Sequence, residues 1–271
     1  MDNRSIGIFD SGLGGLTVLK EIKNMVPNEK LIYFGDSGRT PYGTKSKETV
    51  IKYTIQDIRF LLSHDIKMIV IACNTASACS LDIVKQRFDI PIIDVVGPGS
   101  LAAVNYTKNN KVGVIGTNAT IASGVYETAI NKSNKSIEVS SKACPLFVPL
   151  AEEGWWDNEI TRLTASNYLE PLKNEGIDTL VLGCTHYPLL QGTISKVMGN
   201  KVVLVSSALE AAKAVKRSLE ELNISCERNI DVSCEFYTSD SVEKFIQLGS
   251  SIIGKRIKRV EKIDIEKYQN N

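Results

Sequence analysis

The fold is decided by residues 69–76, which read Ile-Val-Ile-Ala-Cys-Asn-Thr-Ala. A second stretch of the same form, Leu-Val-Leu-Gly-Cys-Thr-His-Tyr-Pro, covers residues 180–188. Each is a short apolar run followed by a small residue, a cysteine and polar residues, which is typical of a buried parallel strand. Because ligands of open α/β sheets bind beyond the carboxyl ends of such strands, we expect Cys73 and Cys184 to lie at a functional site.

A further repeat indicates an internal duplication. Residues 111–117, Lys-Val-Gly-Val-Ile-Gly-Thr, have the pattern of residues 5–11, Ser-Ile-Gly-Ile-Phe-Asp-Ser, and strand-like and helix-like segments alternate in both halves. This alternation predicts a mostly parallel sheet flanked by helices in each half. We therefore predict an α/β fold of two pseudo-symmetric domains, with one cysteine strand in each domain and the active site at the domain interface.

The expected domain bounds follow from the ends of the duplicated pattern. Residues 97–99, Gly-Pro-Gly, are interpreted as a break between the halves. The first domain is then expected to be discontinuous and to comprise residues 1–97 plus 207–271. The second domain is expected to comprise residues 98–206.

The C-terminal part is expected to complete the first sheet, with a strand near residues 235–238 and an extended run over about residues 256–265. Residues 255–259, Lys-Arg-Ile-Lys-Arg, form a basic run that a nucleic-acid surface or an edge strand would explain. The formal net charge of only +1 argues against nucleic acid. We interpret the run as an edge strand, where lysines discourage aggregation.

Composition excludes several classes of protein. The chain is 43% hydrophobic and 23% charged, as in ordinary soluble globular proteins. Its longest apolar runs are far shorter than the ~20 residues that a membrane helix needs, and the amino terminus has no signal-peptide core. We therefore expect a cytoplasmic protein with no membrane partner. Its six cysteines have no repeated spacing and are interpreted as reduced thiols.

Two turns and one loop complete the candidate site. Residues 10–15, Asp-Ser-Gly-Leu-Gly-Gly, do not fit the dinucleotide pattern G-x-G-x-x-G, so a small anion, with Asp10 beside it, is expected at this turn. Residues 35–43 form a long turn rich in glycine and proline, of the kind that carries function. Residues 144–154 fall at the corresponding place in the second half and supply carboxylates.

Three kinds of chemistry use these residues. A Cys–His nucleophile would pair Cys184 with His186, but residues two apart on an extended segment face each other poorly, and Cys73 would have no role. A zinc site is disfavoured because the chain has two histidines and no C-x-x-C motif. The third reading is a pair of thiols on opposite faces of a carbon acid, with Asp10 in one half and Glu152 and His186 in the other as acid–base partners.

The motifs together resemble the glutamate racemases of the aspartate/glutamate racemase superfamily. The segments that carry this resemblance are residues 10–15, 36–43, 73–76, 145–150 and 183–190. The resemblance implies an isomerase, an amino-acid racemase that interconverts L- and D-glutamate without a cofactor. It also implies a role in peptidoglycan synthesis, hence in cell wall biogenesis and cell shape.

The resemblance also implies roles for individual residues. Cys73 would take the proton from D-glutamate and Cys184 from L-glutamate, with Asp10 assisting the first thiol and Glu152 with His186 the second. Glu152 is chosen over the neighbouring Glu153 by motif position. The expected substrate-binding residues are Asp10, Ser11, Tyr42, Gly43, Asn74, Thr75, Thr117, Thr120, Thr185 and His186.

The expected partners are small molecules, L- and D-glutamate, with no metal and no nucleic acid, and the chain is expected to form a homodimer. Two alternatives stay open. One is another amino-acid racemase of the superfamily, for example one that acts on aspartate. The other is a glutamate-binding regulator of the same fold, which would need neither thiol.

Overall fold

A computed structural model describes residues 2–226 and 234–269. The strands in these ranges are β1 (Ser5–Asp10), β2 (Leu31–Gly35), β3 (Ile66–Ile71), β4 (Ile92–Asp94), β5 (Lys111–Gly116), β6 (Glu138–Ala143), β7 (Thr179–Gly183), β8 (Val203–Ser206), β9 (Cys234–Thr238) and β10 (Glu261–Lys262). The α-helices are α1 (Leu16–Met25), α2 (Lys47–Leu62), α3 (Asn74–Arg87), α4 (Val96–Tyr106), α5 (Asn118–Ala122), α6 (Val125–Ser133), α7 (Phe147–Glu152), α8 (Glu159–Asn174), α9 (Gln191–Met198), α10 (Ser207–Glu221) and α11 (Val242–Ile253). Short 3₁₀ helices span Tyr42–Thr44, Tyr187–Leu190 and Ile265–Tyr268.

The strands form two sheets with the same internal order. The first sheet runs β10-β9-β2-β1-β3-β4 and the second β6-β5-β7-β8. All pairings are parallel. The order β2-β1-β3-β4 in the first sheet matches β6-β5-β7-β8 in the second, so β1 corresponds to β5 and β3 to β7. The predicted α/β fold with two related sheets is confirmed.

The apolar runs form strands because both faces of each central strand are covered. In β3, Met68 and Val70 pack into the core on one face, while Ile69 and Ile71 pack into the core on the other. All six residues of this strand are buried. Burial of each such side chain contributes about 1.5–3 kcal/mol, so the run is far more stable inside a sheet than at the surface. Cys73, which follows β3, belongs to the second of these cores.

Residues 97–99 do not break the secondary structure, and the boundary between the halves at these residues stays a prediction. They lie in the first turn of α4, where Oδ2 of Asp94 accepts hydrogen bonds from Val96 N at 2.8 Å and Gly97 N at 2.9 Å. A proline is tolerated there because the first N–H groups of a helix have no intrahelical acceptor, so Pro98 removes no helical hydrogen bond.

The C-terminal part completes the first sheet through β9 and β10, as expected. The basic run at residues 255–259 is not an edge strand, however, because only Glu261 and Lys262 of this region pair with β9. Ile257 and Val260, three positions apart, are the residues that reach the core. A spacing of three does not match the two-residue period of a strand, which explains the error.

Two helices pass between the sheets. Helix α4 contributes Ala102 and Ala103 to the core under the second sheet, whereas α10 contributes Ala211 and Val215 to the core under the first. We therefore propose the division into residues 1–97 plus 207–271 and residues 98–206, with the first crossing at the start of α4. None of the helices in the described part of the chain has the length and apolarity needed to cross a membrane.

The cap on α4 gives a test of this local structure. Replacing Asp94 by alanine leaves the N–H groups of Val96 and Gly97 without their acceptor, and we expect a loss of about 1 kcal/mol in the free energy of unfolding. Urea denaturation followed by circular dichroism measures it. The control is Asp82→Ala on the exposed face of α3, expected within about 0.5 kcal/mol of the parent. Equal stability of the two variants would contradict the cap.

Candidate active site

The site is formed where the parallel strands end. Asp10 is the last residue of β1, which pairs with β3, and the chain continues from β3 directly to Cys73. In the second sheet, β5 and β7 are paired at Gly116 and Gly183, so Thr117 and Cys184 follow at the same level. Parallel pairing therefore places Asp10 near the first thiol and the backbone of Thr117 at the level of the second.

The first thiol caps a helix. Cys73 precedes α3, and its Sγ accepts a hydrogen bond from Ala76 N at 3.4 Å and lies 3.6 Å from Oγ of Ser11. Burial raises the pKa of Cys73, the charge of Asp10 raises it further, and the helical N–H opposes both. Cys73 is 5% exposed as a residue, and its raised pKa keeps the side chain a neutral thiol at neutral pH.

Asp10 is fully buried and connects the two halves. Its Oδ2 accepts hydrogen bonds from Gly12 N at 3.1 Å and Gly15 N at 3.0 Å, and its Oδ1 lies 3.4 Å from the hydroxyl of Thr185 in the second half. Burial raises the pKa of Asp10, while the charge of His186 and these hydrogen bonds lower it. The glycine turn therefore binds the Asp10 carboxylate through two of its N–H groups, and the expectation of a separate anion at this turn stays a prediction.

The second thiol lies in a row of charged side chains. Sγ of Cys184 is 3.8 Å from Nδ1 of His186, whose Nε2 is 3.4 Å from Oε1 of Glu152. Oε2 of Glu152 is 3.3 Å from Nζ of Lys244, which belongs to α11 of the first half. The expectation that Cys184 and His186 face each other poorly is wrong. Strand β7 ends at Gly183, and the chain turns at once toward a 3₁₀ helix.

The His186–Glu152 pair is charged at neutral pH. Burial lowers the pKa of His186, but Cys184 and Glu152 outweigh it and raise this pKa to about 10. The contact with His186 lowers the pKa of Glu152 to about 2, against the effect of burial and with help from Lys244. At 3.4 Å the ring nitrogen and the carboxylate form an ion pair without hydrogen-bond geometry. The attraction between the two groups is therefore mainly electrostatic.

Hydroxyl groups join the two halves beside the thiols. The Oγ1 atoms of Thr75 and Thr117 are 3.0 Å apart, and that of Thr120 lies 3.3 Å from Thr75 and 3.0 Å from Thr117. The backbone of Gly43 presses on Thr117, since a Cβ at position 43 would lie 2.7 Å from Thr117 Cβ. Gly14 similarly packs against Thr185 in the second half.

Two further predicted residues have distinct surroundings. Oδ1 of Asn74 accepts a hydrogen bond from the hydroxyl of Tyr126 at 2.6 Å, and its buried Nδ2 has no partner within the described ranges. The amide donors of Asn74 are thus available to a ligand. The hydroxyl of Tyr42 instead contacts Asp36 and Asp57.

Sequence reasoning missed Lys244 and Tyr126. No motif marks either residue, because each reaches the site from a helix distant in sequence: Lys244 from α11 and Tyr126 from α6. A cavity of about 60 Å³ is lined by Glu152 and Lys244 together with Gly12 and Phe245. Among the residues described, no cluster of three or more His, Cys, Asp or Glu side chains could hold a metal ion.

Comparison with known proteins identifies the class. Residues 6–215 match the Asp/Glu/Hydantoin racemase family, and the chain belongs to it. A glutamate racemase of Geobacter metallireducens is 48% identical over 263 residues, which cover 97% of each chain. This and further curated relatives place the chain among the glutamate racemases of that family, which are isomerases. The resemblance seen in the motifs is confirmed.

Solved structures agree over nearly the whole length. Glutamate racemase isoform RacE1 from Bacillus anthracis superposes with a TM-score of 0.94 at 39% identity, over 97% of this chain and 98% of that one. Glutamate racemase from Francisella tularensis, in complex with D-glutamate, gives a TM-score of 0.92 at 40% identity, over 99% of this chain and 100% of that one. The two-sheet architecture is thus that of the glutamate racemases.

The ion pair beside the second thiol gives a direct test. His186 and His64 are the two histidines of the chain, so their ring signals can be followed individually by NMR. We expect Glu152→Gln to lower the pKa of His186 from about 10, because the neutral amide no longer stabilises the imidazolium.

The matched control is Glu153→Gln, which alters the neighbouring, exposed carboxylate. We expect this variant to leave the titration of His186 unchanged, with His64 as an internal reference in both proteins. If Glu153→Gln moved the pKa of His186 as far as Glu152→Gln did, the pairing of His186 with Glu152 would be refuted.

Proposed function

We propose that the chain racemises glutamate by a cofactor-independent, two-thiol proton transfer. Cys73 removes the α-proton of D-glutamate and Cys184 that of L-glutamate, and the opposite thiol supplies the new proton. The observation that carries the proposal is the pair of buried thiols at corresponding strand ends of two related sheets, 5% exposed each. A relative solved with D-glutamate supports the choice of substrate.

The first thiol needs a cation to work as a base. Burial and Asp10 hold Cys73 in its protonated form, while the N-terminus of α3 favours the thiolate. A substrate α-ammonium bound nearby would offset the charge of Asp10 and stabilise that thiolate. Asp10 would then accept hydrogen bonds or a proton from this ammonium. Substrate binding would thereby convert Cys73 from a neutral thiol into a thiolate that can act as a base.

The second thiol is prepared differently. The imidazolium of His186, 3.8 Å from Cys184 Sγ, stabilises negative charge on the sulfur and can return a proton to it. Glu152 keeps His186 charged, and Lys244 in turn neutralises Glu152. Racemisation requires one thiolate and one thiol at the same time, so one sulfur must be protonated while the other is not.

The polar groups between the halves would bind the two carboxylates of glutamate. Asn74 offers unused N–H donors, and Ser11 lies beside the Cys73 sulfur. The remaining donors in the proposed binding set are the hydroxyls of Thr75, Thr117, Thr120 and Thr185 and the backbone at Tyr42 and Gly43. These donors come from both halves, so a bound glutamate would hold the halves together.

We also propose that the D-glutamate formed supplies peptidoglycan synthesis in the cytoplasm, and that the protein acts as a homodimer.

The two alternative functions, an aspartate racemase and a glutamate-binding regulator, are separated by simple assays. A racemase for aspartate would change the optical rotation of L-aspartate and leave L-glutamate unchanged. A regulator would bind glutamate, with protection of its thiols from alkylation, but would turn over neither amino acid.

The number of bases is tested by solvent labelling. If the proton leaves to one sulfur and the new proton comes from the other, D-glutamate formed early from L-glutamate in deuterium oxide will carry deuterium at the α-carbon. The remaining L-glutamate will stay mostly protiated. Proton NMR with chiral separation measures both. Early product that retained its original α-proton would show a single base and end the two-thiol mechanism.

Serine variants test each thiol separately. A hydroxyl is a far weaker acid than a thiol, so Cys73→Ser and Cys184→Ser should bind glutamate but lose racemisation by orders of magnitude, at about 1.4 kcal/mol of barrier per tenfold. Cys144→Ser is the control. The buried thiol of Cys144 donates to the backbone carbonyl of Lys142, and Cys144 is not one of the proposed catalytic or binding residues. Near-normal turnover by either site variant would contradict the assignment.

A further inference from the structure

A second buried polar cluster lies behind the Tyr42 turn and takes no part in the proposed chemistry. It consists of Asp36, Arg39, Tyr42 and Asp57, and we call it the Asp57 ring. The side chains of Asp36 and Asp57 are fully buried, and Tyr42 is 1% exposed. Side chains of this kind are seldom buried unless they are fully paired.

The hydrogen bonds close a ring. Arg39 donates from Nε to Asp36 Oδ2 at 2.6 Å and from Nη2 to Asp57 Oδ1 at 3.0 Å. On the other side, the hydroxyl of Tyr42 contacts Oδ2 of Asp36 closely and Oδ2 of Asp57 at 2.9 Å. One phenol oxygen therefore lies between two carboxyl groups.

The number of protons in this ring decides its charge state. A phenol has one proton to donate, so it can satisfy only one of two ionised carboxylates. The oxygen of the second carboxylate would then face the phenol oxygen at 2.9 Å with no proton between the two oxygens, and the two would repel each other. Two buried carboxylates against the single guanidinium of Arg39 would also leave one negative charge uncompensated, which is costly in the interior.

The hydrogen-bond partners indicate which carboxyl group holds the extra proton. Asp36 accepts from Arg39, from Tyr42 and from the hydroxyl of Ser239 at 2.8 Å. Asp57 accepts from Arg39 alone, and its second oxygen faces the phenol. We propose that Asp57 is a neutral carboxylic acid in the native protein, which donates to Tyr42 while Tyr42 donates to Asp36.

The surrounding charges agree with this assignment. Burial raises the pKa of Asp57 well above its usual range, the charge of Asp36 adds to it, and Arg39 only partly opposes both. The charge of Asp10 acts in the same direction as that of Asp36. Glu266, in the C-terminal 3₁₀ helix, lies 3.4 Å from Arg39 Nη1, so the guanidinium is also paired with a third carboxylate.

The neutral acid makes Asp57 a positioning residue. The ring anchors the side chain of Tyr42, and the next residue, Gly43, presses on Thr117 in the other half. A proton on Asp57 therefore sets where this backbone meets the proposed substrate site. The link to substrate binding rests on the proposed function, whereas the protonation of Asp57 does not.

Protonation is tested by the pH dependence of stability. In the unfolded chain Asp57 ionises near its ordinary pKa of ~3.9, so folding at neutral pH takes up one proton at this residue. The native state then binds more protons than the unfolded state, and stability falls as pH rises. For this group, the unfolding constant rises about tenfold per pH unit from about pH 5 up to the pKa of Asp57 in the native protein.

The variant Asp57→Asn cannot take up that proton. We therefore expect the ratio of its unfolding constant to that of the parent to fall about tenfold per pH unit over the same window, in urea titrations at several pH values. The control is Asp178→Asn, whose parent carboxylate accepts from two backbone N–H groups and is ionised, so its ratio should not change with pH. A constant ratio for Asp57→Asn would show that Asp57 is ionised in the native protein and overturn the proposal.

Kinetics test the positioning role. An asparagine at 57 can still donate to Tyr42 and accept from Arg39, so Asp57→Asn should keep KM for glutamate within about threefold of the parent. Asp57→Ala and Tyr42→Phe open the ring, and each should raise KM about tenfold with a smaller change in kcat. Tyr42→Phe retains the backbone contacts, so it still tests the positioning role if the alanine variant misfolds.

If Asp57→Asn were as impaired as Tyr42→Phe, the positioning role would be refuted. If the parent chain did not racemise glutamate at all, the proposed function would fail, while the stability ratio would still decide the protonation of Asp57. The two failures are therefore distinguishable.

Discussion

The Asp10 carboxylate is the interaction on which the site depends. It is fully buried at the end of β1, is bound by two N–H groups of the glycine turn, and lies within reach of Thr185 from the other half. Its charge raises the pKa of Cys73 and also favours the charged form of His186. One carboxylate thus influences the protonation of groups in both sheets. The turn requires glycine at position 15, because a Cβ there would lie 2.4 Å from Asp10 Cβ.

The two halves share a topology but differ in electrostatics. In the first half an anion, Asp10, lies beside the thiol and favours the neutral sulfur. In the second half a cation, His186, lies beside the thiol. A racemase of the proposed kind needs one thiolate and one thiol at the same time, and the unlike charges beside the two sulfurs make the two sites unequal. The two halves therefore share a strand order and differ in the charges around the site.

Contacts between the halves are largely polar near the site. The threonine hydroxyls, the Thr17 hydroxyl on the carbonyl of Thr185 at 2.9 Å and the Lys244–Glu152 ion pair all cross from one half to the other. Interfaces of this character cost less to open than apolar cores. The Asp57 ring fixes the side chain of Tyr42, which precedes Gly43 at the edge of this interface.

The sequence alone determined the α/β class, the duplication and the placement of both cysteines at strand ends, because apolar periodicity and strand-terminal motifs are local signals. It misled where a local pattern had two readings, as at Pro98 in α4 and at the Ile257–Val260 spacing. The tertiary structure alone decided that Cys184 faces His186, that Lys244 reaches Glu152 from 92 positions away, and that Asp57 meets Tyr42. These contacts depend on how elements distant in sequence pack together, and the pKa values follow from that packing through burial and charge.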